Sequence, residues 1–311
     1  MKRDATVLGV GEGMKVHYPL FDVFRILLAL EVVRGHITRE GFIIAPVPAF
    51  LAISGFCVLQ SYQFSRGWPH FAWKRCLRLV PALVAILAFI AWRFGPEASW
   101  GVVRQWATLG LGKGSFNNPV WSLGWEELYY GLLAVLYSIG VYKRPWVIWA
   151  VLGVSLVVAA LLLPLASSDT QRAMALLAPS FFIGNLCYLY RENLPRFRHL
   201  SVPMVGLSVY AYMEMRAPIL SCVLITVGLL LCAIGYRPKL WKLPDISYSA
   251  YIYHAPVLNA FGRTSTTVAI ILAVCVVSFY VIEKPALALK DWTLRRKETA
   301  PTLERAEAAT A

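Results

Sequence analysis

Residues 146–164, WVIWAVLGVSLVVAALLLP, run without a single charge, close to the roughly 20 residues that a helix needs to cross the hydrocarbon core of a bilayer. The pattern recurs along the chain. Apolar stretches near 20–36, 45–61, 77–94, 121–140, 146–164, 173–190, 200–214, 217–235, 246–262 and 266–283 predict ten transmembrane helices in an all-α polytopic bundle. Composition agrees: 58% of the 311 residues are hydrophobic and 15% charged, and the mean hydropathy is +0.59. These values exclude a soluble globule, a disordered chain and a collagen-like repeat. Trp68, Trp73, Trp100, Trp121, Trp146 and Trp241 fall at or near the stretch ends, where an amphipathic ring prefers the headgroup layer.

The formal charge of +13 would raise the question of nucleic acid in a soluble protein. Here the positives sit between the apolar stretches, so the expected partner is the lipid bilayer and not nucleic acid. Lys and Arg in alternate connections number 21 on one side and six on the other, which predicts that both termini are cytoplasmic. Residues 1–19 carry charges but no apolar core, so they read as a cytoplasmic segment and not a cleavable signal. Residues 20–286 form the transmembrane domain, and 287–311 a basic cytoplasmic tail with a short amphipathic helix. The longest external connection, 95–120, has an amphipathic centre and is of a length that often shapes a binding site. The six cysteines show no metal-ligand spacing and read as small buried hydrophobes; no metal is expected.

The first stretch departs from a plain membrane helix. FDVFRILLALEVVRGHI, residues 21–37, carries Asp22, Arg25, Glu31, Arg34 and His36. Each charge at mid-bilayer costs roughly 2.5 to 3.5 kcal/mol on insertion scales, so this helix must lie inside the bundle or line a watery cavity. Arg25 and His36 are 11 residues apart, which returns them to within about 20° of one face and separates them by roughly 16 Å. They mark the two ends of one stripe. Asp22 with Arg25, and Glu31 with Arg34, are also spaced as neutralising i,i+3 pairs.

Two further clusters bear on that stripe. In WSLGWEELYYGLL, 121–133, Glu126 and Glu127 point about 100° apart on a helix. One serves as a first-turn carboxylate stabilised by the helix N-terminus; the other is expected at the depth of His36, hydrogen-bonded to its imidazole. In HFAWKRCLRLVP, 70–81, Lys74, Arg75 and Arg78 are either positive-inside anchors or, with Arg25 at the same depth, a phosphate site of converging guanidinium forks.

Taken in order, LFDVFRILLALEVVRGH, AFLAISGFCVLQSY, FAWKRCLRLVPA, NPVWSLGWEELYY, ISYSAYIYHAPV and SFYVIEKPAL resemble the integral-membrane acyltransferase family 3 from residue 20 to about 286. The Arg25–His36 spacing, a Ser54-Gly55-Phe56 turn, the Arg75/Arg78 run before Pro81, the Ser122-to-Glu126/Glu127 stretch and Glu283-Lys284-Pro285 carry the likeness. The resemblance implies an acyltransferase of ten helices in a bacterial inner membrane. Such an enzyme takes an acyl group, usually acetyl, from cytosolic acyl-CoA and delivers it to a hydroxyl of an extracytoplasmic glycan or glycolipid. By that likeness His36 is the catalytic histidine, Glu126 or Glu127 assists it, and Arg25 with Lys74, Arg75 and Arg78 holds CoA. Three departures stand out: Arg34 occupies an expected apolar position, Gly124 and Trp125 replace small residues before the glutamates, and no hydrolase-like domain follows the last helix. The first two are expected to reshape the acceptor pocket.

The residue chemistry is compatible with this. A hydroxyl attacking a thioester needs a base near neutral pKa, which suits His36, and an acyl-histidine route stays open beside direct transfer. Ser54, Trp121, Ser122, Tyr251 and His254 are the substrate-binding candidates. His254 reads equally as a buried histidine bonded to a neighbouring helix, and Tyr248, Tyr251 and Tyr253 as packing or as a sugar platform. Glu283 is expected to pair with a basic residue near the CoA mouth. The competing class is a transporter or flippase of a lipid-linked glycan, since intramembrane Arg, Glu and His also build such pathways.

Overall fold

The computed structural model describes residues 16–39, 41–111, 117–239 and 244–291, and among these it contains helices and turns but no strand. The helices are α1 (Pro19–Thr38), α2 (Pro46–Gln63), α3 (Trp68–Phe94), α4 (Pro96–Ala107), α5 (Trp121–Ser138), α6 (Pro145–Leu162), α7 (Asp169–Ala175), α8 (Leu177–Leu189), α9 (Ser201–Met213), α10 (Pro218–Gly235), α11 (Ser247–Phe261), α12 (Ser265–Ser278) and α13 (Lys284–Ala288). A π-helical turn, Phe279–Glu283, joins the last two. Lys113, Trp241 and the expected amphipathic tail beyond 291 lie outside the described residues.

Proline opens α1, α2, α3, α4, α6 and α10. In the first turn its missing N–H costs nothing, and inside a bilayer every unsatisfied N–H is expensive. All ten expected stretches are helical, but they are not alike. By length and apolarity alone, five segments among the described residues are able to cross a membrane: Trp68–Phe94, Pro145–Leu165, Asp169–Leu189, Pro218–Gly235 and Ser265–Ala288. This is fewer than the ten spans expected, for physical reasons. Helices α9 and α11 have only 13 and 15 residues. Helix α1 carries five ionisable side chains, α5 carries Glu126 and Glu127, and α2 ends in Gln60-Ser61-Tyr62-Gln63.

Burial differs sharply among the helices. Every residue of α11 from Ser247 to Leu258 is buried, as are most residues of α2 and α8. By contrast, only 22% of the apolar window of α6 and of α12, and 28% of that of α3, is buried. Helices α3, α6 and α12 thus lie mostly at the surface around α2, α8 and α11, while α1 and α5, with their ionisable groups, are partly buried.

Helices α2 and α8 cross at the closest approach. A Cβ on Gly184 would lie 2.1 Å from the Ala52 carbonyl oxygen, and one on Gly55 2.4 Å from that of Phe181. Asn185 fastens the crossing by donating to the carbonyls of Phe181 (2.8 Å) and Gly55 (3.3 Å), and the Tyr142 hydroxyl donates to Asn185. The Ser54-Gly55-Phe56 segment is therefore the middle of a helix and not a turn: its glycine serves contact between helices. Pro256 interrupts α11 and frees the carbonyl of Ile252, which accepts instead from Asn117 Nδ2 at 2.8 Å. This bond ties the end of the 95–120 connection to the inner layer.

Glu31 and Arg34 form the expected pair, at 2.7 Å. Glu31 also accepts from the Ile43 amide at 2.6 Å and Arg34 donates to the Gly41 carbonyl at 2.9 Å, so the pair clamps the turn into α2. Gly124 abuts Trp106, and the Trp125 indole donates to the Leu109 carbonyl at 2.8 Å. Neither residue lines the cavity that holds His36; both pack against α4 and its following turn.

Candidate active site

Helix α1 contributes to the lining of two cavities. The larger, about 670 Å³, reaches helix ends at His17, Lys74 and Lys290; the smaller, about 140 Å³, reaches those at Pro119, Asp169 and Pro218. Arg25 lines the first and His36 the second, so the stripe on α1 has one end in each.

The larger cavity gathers the predicted basic residues. Arg25, Lys74, Arg75 and Arg78 all line it, joined by Lys290, and among the lining residues these five cations face three acids, Asp22, Glu126 and Asp245. The surplus gives the cavity a positive field that favours negative charge. Arg75 Nη2 donates to Ser61 Oγ at 3.0 Å, and its guanidinium lies 5.5 Å from the ring centres of both Phe71 and Tyr130. Arg78 donates to Asp245, which also lies 3.8 Å from Arg25; Arg25 in turn is 3.9 Å from Asp22. Burial pushes the Asp245 carboxyl up, but Arg78, Arg25 and the Ser247 hydroxyl outweigh it and hold the group well below the usual carboxylate range.

Asp245 is absent from the sequence-level candidates, although it occupies the place expected of Glu283 as counter-ion of the basic cluster. Glu283 is instead buried, accepts from the Ser249 hydroxyl, and forms no ion pair among the described residues. The only signal for Asp245 was an acid between a basic connection and the Ser247 that opens α11.

The carboxylate expected beside His36 is elsewhere. Glu126 faces the larger cavity, accepting from Ser54 Oγ at 2.6 Å and from the Tyr130 hydroxyl, while Ser54 and Tyr130 lie 3.0 Å apart. Glu127 lines neither cavity. The reason is depth: Glu126 lies five residues, roughly 7.5 Å, inside the start of α5, whereas His36 stands in the last turn of α1. Trp121, at the start of α5, does share the small cavity with His36, and it is buried there and does not face headgroups. Ser122 lines the large one.

His36 has a different neighbour. Its ring centre lies 4.9 Å from that of His254, edge to face, and 5.9 Å from Phe42. His36 Nδ1 bonds the Val32 carbonyl at 2.8 Å, and His254 Nδ1 the Ala250 carbonyl at 2.9 Å. A carbonyl only accepts, so each Nδ1 carries a proton, which makes Nε2 the lone-pair site of the neutral imidazole. His254 is fully buried and its Nε2 has no hydrogen-bond partner among the described residues. Its hydrogen bond runs within its own helix and not to a neighbour; what it presents to α1 is its ring. Tyr251, one turn before it, bonds Ser122 Oγ at 2.6 Å and the Pro119 carbonyl at 3.1 Å.

A cavity rich in guanidinium groups suits phosphate, and an imidazole suits proton abstraction from a hydroxyl. Comparison with known proteins bears on which chemistry this is. A family model described as an acyltransferase domain matches residues 18–282. No curated protein and no solved structure matches the chain.

Proposed function

The chain belongs to acyltransferase family 3, and from that premise we propose a specific reaction: transfer of an acyl group, acetyl in the first place, from cytosolic acyl-CoA to a hydroxyl of an extracytoplasmic glycan or glycolipid. The observation that carries the proposal is the pair of cavities on one stripe of α1, basic at one end and histidine-bearing at the other. In this reading the protein lies in a bacterial cytoplasmic membrane as a ten-helix bundle with both termini inside, the orientation favoured by the 21-to-six distribution of positive residues.

Arg25, Lys74, Arg75 and Arg78 hold the phosphates of CoA, with Asp245 setting the direction of Arg78. The pantetheine arm runs past Ser54, Glu126 and Tyr130 toward His36. The acceptor hydroxyl approaches through the small cavity beside Trp121. His36 Nε2 takes its proton, the oxygen bonds to the thioester carbonyl carbon, the C–S bond breaks, and the CoA thiolate recovers the proton from the imidazolium. Glu126, on the donor side, positions the arm and does not act on His36 directly. A flippase is less well supported, since about 140 Å³ holds only a fraction of a lipid-linked glycan.

The test is thioester cleavage by purified protein in vesicles given acetyl-CoA, with and without sugar acceptors. His36→Gln, which keeps polarity but is not a base, should lower transfer by roughly 10² to 10⁴ while CoA binding persists. Near-normal transfer by His36→Gln would remove the proposed mechanism.

A further inference from the structure

Two residues line both cavities, Val47 and Tyr251. Val47 sits in the first turn of α2, and Tyr251 comes from the buried face of α11. Tyr251 has little freedom: its hydroxyl is held by Ser122 and Pro119, and its ring centre lies 5.9 Å from that of Phe50 and 6.4 Å from that of His254. Val47, by contrast, offers only methyl groups.

We infer that Val47 and Tyr251 form the partition between the donor and acceptor cavities and set the length of acyl chain that reaches His36. The inference rests on the acyltransferase reading and adds a specificity determinant to it. An acyl group delivered from the larger cavity must pass between these side chains. Beyond them it shares about 140 Å³ with the acceptor hydroxyl, so each additional methylene has to lodge at the partition. With Tyr251 tethered at two points, the space there is governed by the bulk of residue 47, and the fit favours short acyl groups.

The experiment compares acetyl-, butyryl- and hexanoyl-CoA as donors for the full-length protein in vesicles. Val47→Ala should raise the ratio of butyryl to acetyl kcat/KM by roughly tenfold, the discrimination that one methylene carries in an apolar site, and Val47→Leu should lower it. Opposite shifts from two variants are not the signature of misfolding. Unchanged ratios in both overturn the inference while leaving the acyltransferase reading intact.

A second readout needs no activity. Cys57 lines the larger cavity, and in a chain whose other five cysteines are replaced it reports access from the outer face to a small charged methanethiosulfonate. Tyr251→Ala should speed that labelling at least tenfold, with labelling from the inner face unchanged. Equal outer-face rates with and without Tyr251 would rule out a partition even if acyl transfer is confirmed; absent transfer by the unmodified protein with every donor would instead end the acyltransferase reading.

Discussion

Arg75 and Arg78 stand one helical turn apart on α3 and differ in what they hold. Arg75 rests on two aromatic rings and one hydroxyl, whereas Arg78 is bound to a half-buried carboxylate. Both face the anion site, so Arg75→Ala and Arg78→Ala should each raise the KM for acetyl-CoA. Loss of one charge-assisted contact, about 1.5 to 3 kcal/mol, corresponds to roughly ten- to a hundredfold, and the effect should shrink at high salt. An unchanged KM would return both to the role of topological anchors. Asp245 gives a pH signature. Its carboxyl is held below the ordinary range in the folded protein, so its stabilisation is present in full well above the unfolded-state value of about 3.9. That stabilisation is lost as pH falls from there through the folded-state value. The Tm gap between the wild type and Asp245→Asn should therefore be open at neutral pH and close in acid. A gap that widens in acid would mean the pairing has been misread.

At the scale of elements, the α2–α8 crossing carries the clearest expectation. At Gly184 an added methyl meets the backbone oxygen of Ala52 at 2.1 Å, and that oxygen moves only if a helix moves. Gly184→Ala should destabilise by at least the roughly 1 to 3 kcal/mol typical of overpacking, read as a lowered Tm in detergent. Gly206, on α9, is the control: a Cβ there meets nothing within 4 Å, and Gly206→Ala should be neutral or stabilising by up to about 1 kcal/mol. Equal effects at the two positions would separate close packing from the behaviour of the bundle. Because α2 carries Val47, Ser54 and Cys57 on the cavity side, a shift at this crossing would also disturb the wall along which the donor arm is proposed to run.

For the molecule as a whole, the mostly exposed helices α3, α6 and α12 surround the buried α2, α8 and α11, and ionisable groups of α1, α3 and α5 line the larger cavity among them. That arrangement lets one protein hold an anion-binding cavity and a histidine cavity at different depths of a bilayer. The orientation is testable with reporter fusions: fusions after residue 15 and after Ala311 should report the cytoplasm, and one within 95–111 the outside. A C-terminal fusion active only outside would reverse the bundle and place the Arg75/Arg78 cluster on the wrong side for cytosolic CoA.

Much of this was legible in the chain because it is local. Hydropathy marks a helix wherever about 20 residues shun water, and 3.6-residue periodicity puts Arg25 and His36 on one stripe, and Arg75 and Arg78 on one face, whatever surrounds them. Contacts between helices are a different matter, because they depend on how far each helix has travelled when it passes its neighbour. The tertiary structure alone placed Glu126 with Ser54 and Tyr130, gave His36 a histidine and not a carboxylate as its neighbour, and brought Asp245 to Arg78 across 167 positions of sequence. Depth and crossing register are set by close approaches such as Gly55 against Phe181 and by single bonds such as Asn117 to Ile252, and no periodicity within one helix encodes them.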